Sequence, residues 1–251
     1  MRKTLGEPLC TFGGQQFPDS RLLTPEWGAL LTGWVGTTIA TDEWMLCYSS
    51  FTDHSMHPAA FHSQCDAYSA TVSVAHNTGE GSNAGNYTFG GFAAGSWSKE
   101  TCCADPRNYC QSSFCYDQSA SGDFLFGLWM PGRAGSEGPE RFLPTGTGTG
   151  YQLAGPDNWP RWGGNGALSL GSNFHPPRGD RGYCNQGDTY AGSRNEICGG
   201  FQNWGATQLE IWRPACTSCG GHGVCDPITR VCACAAGYKL SNAATCVVDG
   251  S

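Results

Sequence analysis

Six of the 15 cysteines fall near the end of the chain, as Cys216-x2-Cys219-x5-Cys225-x6-Cys232-x-Cys234-x11-Cys246. Thiols at this density either pair as disulfides or, as thiolates, hold a metal. Cys216-x2-Cys219 is a ligand-like spacing, but a zinc ribbon needs a second close pair of ligands, and Cys232-x-Cys234 is too tight for one. A segment of 31 residues buries too little apolar surface to fold unaided. The reading is therefore a module held by disulfides, each contributing about 2–4 kcal/mol. Arithmetic alone leaves their connectivity open. Disulfides persist in oxidising surroundings, which places the chain outside the cell or at its surface.

Nine further cysteines precede this segment, an odd number, so at least one is free or pairs between chains. Cys102-Cys103-x6-Cys110-x4-Cys115 reads as local loops pinned by disulfides. Cys184 and Cys198 bracket a Gly-rich loop and are expected to pair. Cys10 needs a distant partner, either Cys65 or Cys47. Cys47 lies in the middle of a strand and is the candidate for a buried free thiol, because an isolated cysteine behaves as a small apolar residue.

Other clusters carry weaker chemistry. His54, His57 and His62, with Asp53 and Asp66 nearby, suggest a metal site, but Pro58 interrupts them and a spacing of five does not align on a helix face. They read instead as surface and helix-start histidines. Asp180, Asn185 and Asp188 offer oxygen ligands of the kind calcium takes, though an ordinary turn-rich loop explains them as well. Glu210 alternates with Leu209 and Ile211, which reads as a sheet-face carboxylate with an arginine partner. No Gly-x-Ser-x-Gly elbow and no Cys–His pairing motif is present, so no catalytic residue, metal or cofactor is assigned. Trp159-Pro160-Arg161-Trp162 sets a guanidinium between two indoles, an arrangement worth about 0.5–2 kcal/mol when they stack. It suits an internal brace, a glycan platform or a subunit contact. Asn86-Tyr87-Thr88 is an acceptor sequence for N-glycosylation.

Composition narrows the function classes. Charged residues are 14%, against about 25% in a typical soluble protein, and Lys3, Lys99 and Lys239 are the only lysines. With 37 glycines, the surface must be built mostly from Gly, Ser, Thr, Asn and Gln. Such a surface packs against neighbours with little charge to desolvate. The net charge of −7, with no basic run, excludes nucleic acid as a partner. No stretch reaches the ~20 apolar residues of a membrane span. Met1-Arg2-Lys3 begins with positive charge but lacks the apolar run of a signal peptide, so a mature or partial form of a longer precursor is expected.

The elements that must position these residues are mostly short strands. Thr24-Pro25-Glu26 is a helix start, with Trp27, Leu30, Leu31 and Trp34 at helical spacing and Gly33 and Gly36 ending it. Residues 43–50 alternate, with Trp44, Leu46 and Tyr48 on one face. Residues 55–66 read as a short helix with Phe61 and Cys65 inward. Strands follow at 69–76, 86–94, 123–130, 166–171 and 206–213. In the strand 123–130, Phe124, Phe126 and Leu128 face one way and Leu125 and Trp129 the other, so both sides are expected to be covered. Short strands between Gly-rich loops, with few helices, argue for a mainly β fold of two packed antiparallel sheets.

Two resemblances follow from these residues. The spacing Cys232-x-Cys234 followed by Gly237-Tyr238 resembles the EGF-like module. That resemblance implies the pairs Cys216–Cys225, Cys219–Cys232 and Cys234–Cys246. The calcium-binding subtype carries acids before its first cysteine; here that stretch is Trp212-Arg213-Pro214-Ala215. Residues 43–50, the helix ending Phe61-His-Ser-Gln-Cys65-Asp, Ala70 to Val74, Tyr87 to Phe92, Trp97, Asp123 to Leu128, Gly163 to Leu170 and Leu209 to Trp212 resemble, in order, the TLDc domain. This implies a two-sheet β-sandwich with helices at its edges. Familiar TLDc proteins are intracellular, linked to oxidative-stress protection and the proton-pumping vacuolar ATPase, a setting at odds with these cysteines.

The expected organisation is an N-terminal extension (1–19), a TLDc-like sandwich (20–214) and an EGF-like module (215–251). The expected function is a non-enzymatic extracellular structural or adhesion protein. Its expected partners are copies of itself or other extracellular proteins, joined through both parts into an oligomer or filament. A secreted glycan- or protein-binding module is the alternative. An extracellular enzyme or thiol antioxidant is a further one.

Overall fold

A computed structural model of the chain describes residues 16–36, 43–52, 57–77, 86–106, 108–111, 114–117, 122–129, 138–145, 152–155, 159–163, 167–170, 181–184, 190–191, 197, 203–205, 208–215, 223–225, 232–240 and 246–249. In chain order the elements are α1 (Pro25–Val35), β1 (Trp44–Ser49), α2 (Pro58–Cys65), β2 (Ser69–Asn77), β3 (Tyr87–Ser96), α3 (Lys99–Ala104), β4 (Tyr109–Cys110), β5 (Cys115–Asp117), β6 (Phe124–Trp129) and β7 (Glu140–Phe142). They continue with β8 (Gln152–Ala154), β9 (Arg161–Trp162), β10 (Leu168–Ser169), β11 (Arg181–Cys184), β12 (Asn203–Gly205) and β13 (Gln208–Pro214). The last are β14 (Gly223–Cys225), β15 (Cys232–Cys234), β16 (Tyr238–Leu240) and β17 (Cys246–Val248).

The fold is mainly β and its sheets are antiparallel. A six-stranded sheet has the order β1-β13-β2-β3-β6-β7, and a seven-stranded sheet the order β12-β11-β10-β9-β8-β5-β4. Two ribbons, β14-β15 and β16-β17, close the chain. The late strand β13 enters the middle of the first sheet, pairing Leu46 with Trp212 on one side and Val72 with Trp212 on the other. A strand made last in its sheet thus ties together elements made more than 130 residues earlier, so the sheet closes only when the whole domain is present.

Both faces of the six-stranded sheet are covered. One carries Tyr48, Ala75, Phe89, Leu125, Leu209 and Ile211, which share a buried cluster with Trp162, Leu168 and Cys184 of the seven-stranded sheet. The other carries Trp44, Val72, Val74, Phe124, Phe126 and Trp212, covered by Phe17, Leu22, Leu31 and Val35. Helix α1 supplies that cover because its start and stop are written locally. Thr24 Oγ1 accepts the Trp27 N–H at 3.3 Å, Pro25 follows the cap, and Gly36 ends the helix at φ +69°. That dihedral suits glycine and strains other residues.

Two alternation readings are corrected. In β1 the register slips between Leu46 and Tyr48, a β-bulge that adds one residue and turns the side chains after it to the other face. Trp44 therefore packs toward α1, Tyr48 packs toward the second sheet, and Leu46 is left 39% exposed. In β6 a second slip sets Trp129 opposite Thr88 and Gly127 opposite Phe89. Beyond it Trp129 is 45% exposed rather than covered. The strand 166–171 shortens to Leu168–Ser169, and α3 and β4, β5, β7, β8, β9, β11 and β12 went unread, these strands being two to four residues long, too short to show alternation.

Candidate functional site

The disulfides form the most developed chemistry among the described residues. Cys47 is bonded to Cys65, Cys102 to Cys115, Cys103 to Cys110, and Cys234 to Cys246. Cys184 and Cys232 are also disulfide-bonded. Cys198, Cys216 and Cys219 lie outside the described residues, as does the side chain of Cys225, and Cys10 with them. The Cys47–Cys65 bond corrects two expectations at once: Cys47 is not a free thiol, and neither cysteine is open to Cys10. The reason is the bulge of β1. It lets Cys47 and Tyr48 both enter the buried cluster that receives Phe61 and Cys65 from α2.

Cys102 and Cys103 are carried on α3, whose start is fixed by Ser98 accepting the Thr101 N–H at 3.3 Å. Cys110 and Cys115 lie directly opposite each other on β4 and β5. The sulfurs of Cys103, Cys110 and Cys115 all fall within 4.8 Å of one another. Bonded as disulfides, they offer no thiolate to a metal. Cys102 and Cys115 are buried, Cys103 is half-buried and Cys110 is exposed.

The tryptophan segment is an internal brace rather than a glycan platform or a subunit contact. Trp159 is buried, stacked on Phe61 and edge-on to Tyr48. Trp162 is buried edge-on to Trp97, and its Nε1–H donates to the Phe92 carbonyl at 3.1 Å. Both indoles are core, so neither offers a face to a sugar or a subunit; only Arg161 between them reaches the surface in part. Their burial follows from β9 sitting inside its sheet, between β8 and β10.

Among the described residues, His57 and His62 do separate jobs. His57 caps α2, its Nδ1 accepting the Ala59 N–H at 3.2 Å. His62 Nδ1 lies 2.7 Å from Asp66 Oδ1, one helical turn on. His54 and Asp53 lie outside the described residues, as do Asp180, Asn185 and Asp188. Burial lowers the pKa of His76, whose Nδ1 meets Thr88 Oγ1 at 2.9 Å. Asn86 is exposed at the start of β3.

Glu210 is buried, but its carboxylate is not met by a guanidinium. It accepts from Ser20 Oγ at 2.6 Å, the Arg21 backbone N–H at 2.8 Å and Trp212 Nε1 at 3.3 Å. The Arg21 guanidinium lies over the Phe51 ring instead, 4.9 Å from its centre. Ser20 went unread, although its local signal exists: its Oγ also accepts the Leu22 and Leu23 N–H groups, a turn that serine hydroxyls favour.

The join between the sheet and the last cysteines has no slack on its sheet side. Pro214 pairs with Trp44, and the Ala215 N–H donates to the Glu43 carbonyl at 2.9 Å. Ala215 is buried, and Cys216 is the next residue. Beyond it, Cys232, Cys234, Tyr238, Leu240 and Cys246 make a small core of their own. Among the described residues, no helix is long and apolar enough to cross a membrane. No protein-family model and no curated protein matches the chain.

Proposed function

We propose that this chain is an extracellular structural or adhesion subunit, a TLDc-like two-sheet sandwich rigidly joined to an EGF-like module. Disulfides in both parts fit an oxidising compartment. The Cys234–Cys246 bond is one of the three that an EGF-like pairing requires.

The observation that carries the reading is the seated junction at Ala215. A module that follows a sheet-bonded residue directly has a connection too short to swing freely. Two surfaces held in a fixed relation favour regular repetition, because each new contact orders few additional degrees of freedom. A heterologous contact, module of one copy on sheet domain of the next, builds a ring if it closes and a filament if it does not. The low surface charge lessens the desolvation cost of such contacts.

The test is a pair of proteins, the full chain and a chain ending at Ala215, compared by electron microscopy and sedimentation. Regular oligomers in the first and monomers in the second support the reading. Equal assembly by both defeats it. Burial of Trp159 and Trp162 removes the sugar platform on which the glycan-binding alternative stood. The Cys47–Cys65 bond likewise removes Cys47 as the thiol for an antioxidant.

A further inference from the structure

We propose that Cys102, Cys103, Cys110 and Cys115 form a thiol-capture site, at which an incoming thiolate becomes fixed to Cys103 by a relay through the second disulfide. The Sγ atoms of Cys110 and Cys115 belong to different disulfides yet lie 3.1 Å apart. The outer disulfide, Cys103–Cys110, reaches solvent; the inner one, Cys102–Cys115, is buried directly behind it.

Disulfides exchange by attack of a thiolate on one sulfur, with the other leaving as a thiolate. An incoming R–S⁻ attacks Cys103 Sγ. The R–S–Cys103 bond forms, the Cys103–Cys110 bond breaks, and Cys110 leaves as a thiolate. That thiolate already stands beside Cys115 Sγ. Its attack forms Cys110–Cys115, breaks Cys102–Cys115 and releases Cys102 as a thiolate. One thiolate enters and one is left. Two disulfides are consumed and two are made, so no oxidant or reductant is needed.

Three features favour the forward direction. Cys110 and Cys115 are directly opposed on antiparallel strands, where Cα atoms lie about 4.5–5.5 Å apart. That falls inside the span of about 4.4–6.8 Å that a disulfide bridges. The departing Cys102 sulfur has a donor waiting, Asn108 Nδ2 at 3.7 Å, which is held in place by the Cys102 carbonyl at 2.9 Å. Of the back-reactions open to Cys102, attack on Cys115 only retraces the relay, while direct expulsion of R by bonding to its neighbour Cys103 is disfavoured by geometry. A trans peptide holds adjacent Cα atoms at about 3.8 Å, too close for an ordinary disulfide. Attack on Cys110 instead of Cys103 leads nowhere and simply reverses. The captured ligand is a thiol: a small one, or the odd cysteine of a second copy of this chain.

The experiment uses the intact, unreduced chain with glutathione at mildly alkaline pH. Remaining thiols are then alkylated and the disulfides mapped by mass spectrometry. The expected product carries glutathione on Cys103, a Cys110–Cys115 bond and an alkylated Cys102 in the same molecule, and survives removal of free glutathione. An adduct with Cys102–Cys115 intact, or no adduct at all, overturns the proposal. A parallel map of concentrated protein with no added thiol separates the sources. Cys103 bonded to another copy identifies the chain as its own thiol donor; capture only with glutathione identifies a small thiol.

Discussion

The indole of Trp162 lies close against the bare backbone of Gly91. A Cβ on Gly91 would stand 2.7 Å from the ring atoms, and the same indole donates to the carbonyl of the next residue, Phe92. The contact joins the two sheets at a point where only glycine fits. Gly91→Ala is therefore expected to destabilise the fold by about 1–3 kcal/mol, the usual cost of overpacking. Gly90→Ala should cost more, since its Cβ would meet the rigid Ser73 carbonyl at 1.9 Å. Gly33→Ala is the control: nothing stands within 4 Å of its Cβ, and it sits inside α1. It should stabilise by about 0.4–1 kcal/mol. Urea unfolding of the three variants checks the order.

The Cys47–Cys65 bond closes a loop of 18 residues between β1 and α2. Replacing both cysteines with alanine should cost about 3 kcal/mol by the loop-closure argument. Chemical denaturation reads this directly. Titration of the native protein under non-reducing conditions should find neither Cys47 nor Cys65 reactive. A native Cys47 that alkylates would contradict the account.

Much of the fold was legible where one physical signal dominated. Thr24, Pro25 and Gly36 mark α1 because cap, proline and glycine each satisfy a local backbone need. The spacing around Cys234 and Cys246 carried its own pairing through family resemblance. Period-two reading failed at Tyr48 and Trp129, since a bulge is a property of two paired strands and leaves no mark in one. The Trp159–Trp162 segment left brace, glycan platform and subunit contact open, because aromatic and arginine residues serve cores and interfaces alike. Only its place between β8 and β10 decides which. Cys47 was misread for a related reason: its partner on α2 is brought near by tertiary packing, and spacing along the chain is silent about that.

Stability should depend on pH through His76. Its folded pKa lies below the ordinary value of 6.5 because burial disfavours the charged ring. The unfolded chain therefore binds the proton more readily. The contribution is fully present above pH 6.5 and is lost as pH falls through the folded value. Urea midpoints measured from neutral to mildly acidic pH should decline, and His76→Gln should flatten that part of the decline. An unchanged slope in the variant would assign the effect to other groups.

Asn86 is exposed, but the Thr88 hydroxyl of its acceptor sequence is buried against His76. A glycan must therefore be attached before β3 closes onto β2. Protein made through a secretory pathway should carry a mass increment on Asn86 that glycosidase removes and Asn86→Gln lacks. Folded, unglycosylated protein offered to the same transferase should remain unmodified; efficient late modification would count against the burial argument.

The central claim is that a module fixed at Ala215 makes the chain an assembling subunit. The direct measurement is electron microscopy of the unreduced full chain beside a chain ending at Ala215, which keeps the Ala215–Glu43 bond and so the sheet. The account predicts regular rings or filaments for the full chain and single particles for the shorter one. Dispersed monomers of the full chain at high concentration, or identical assemblies from both, would contradict it.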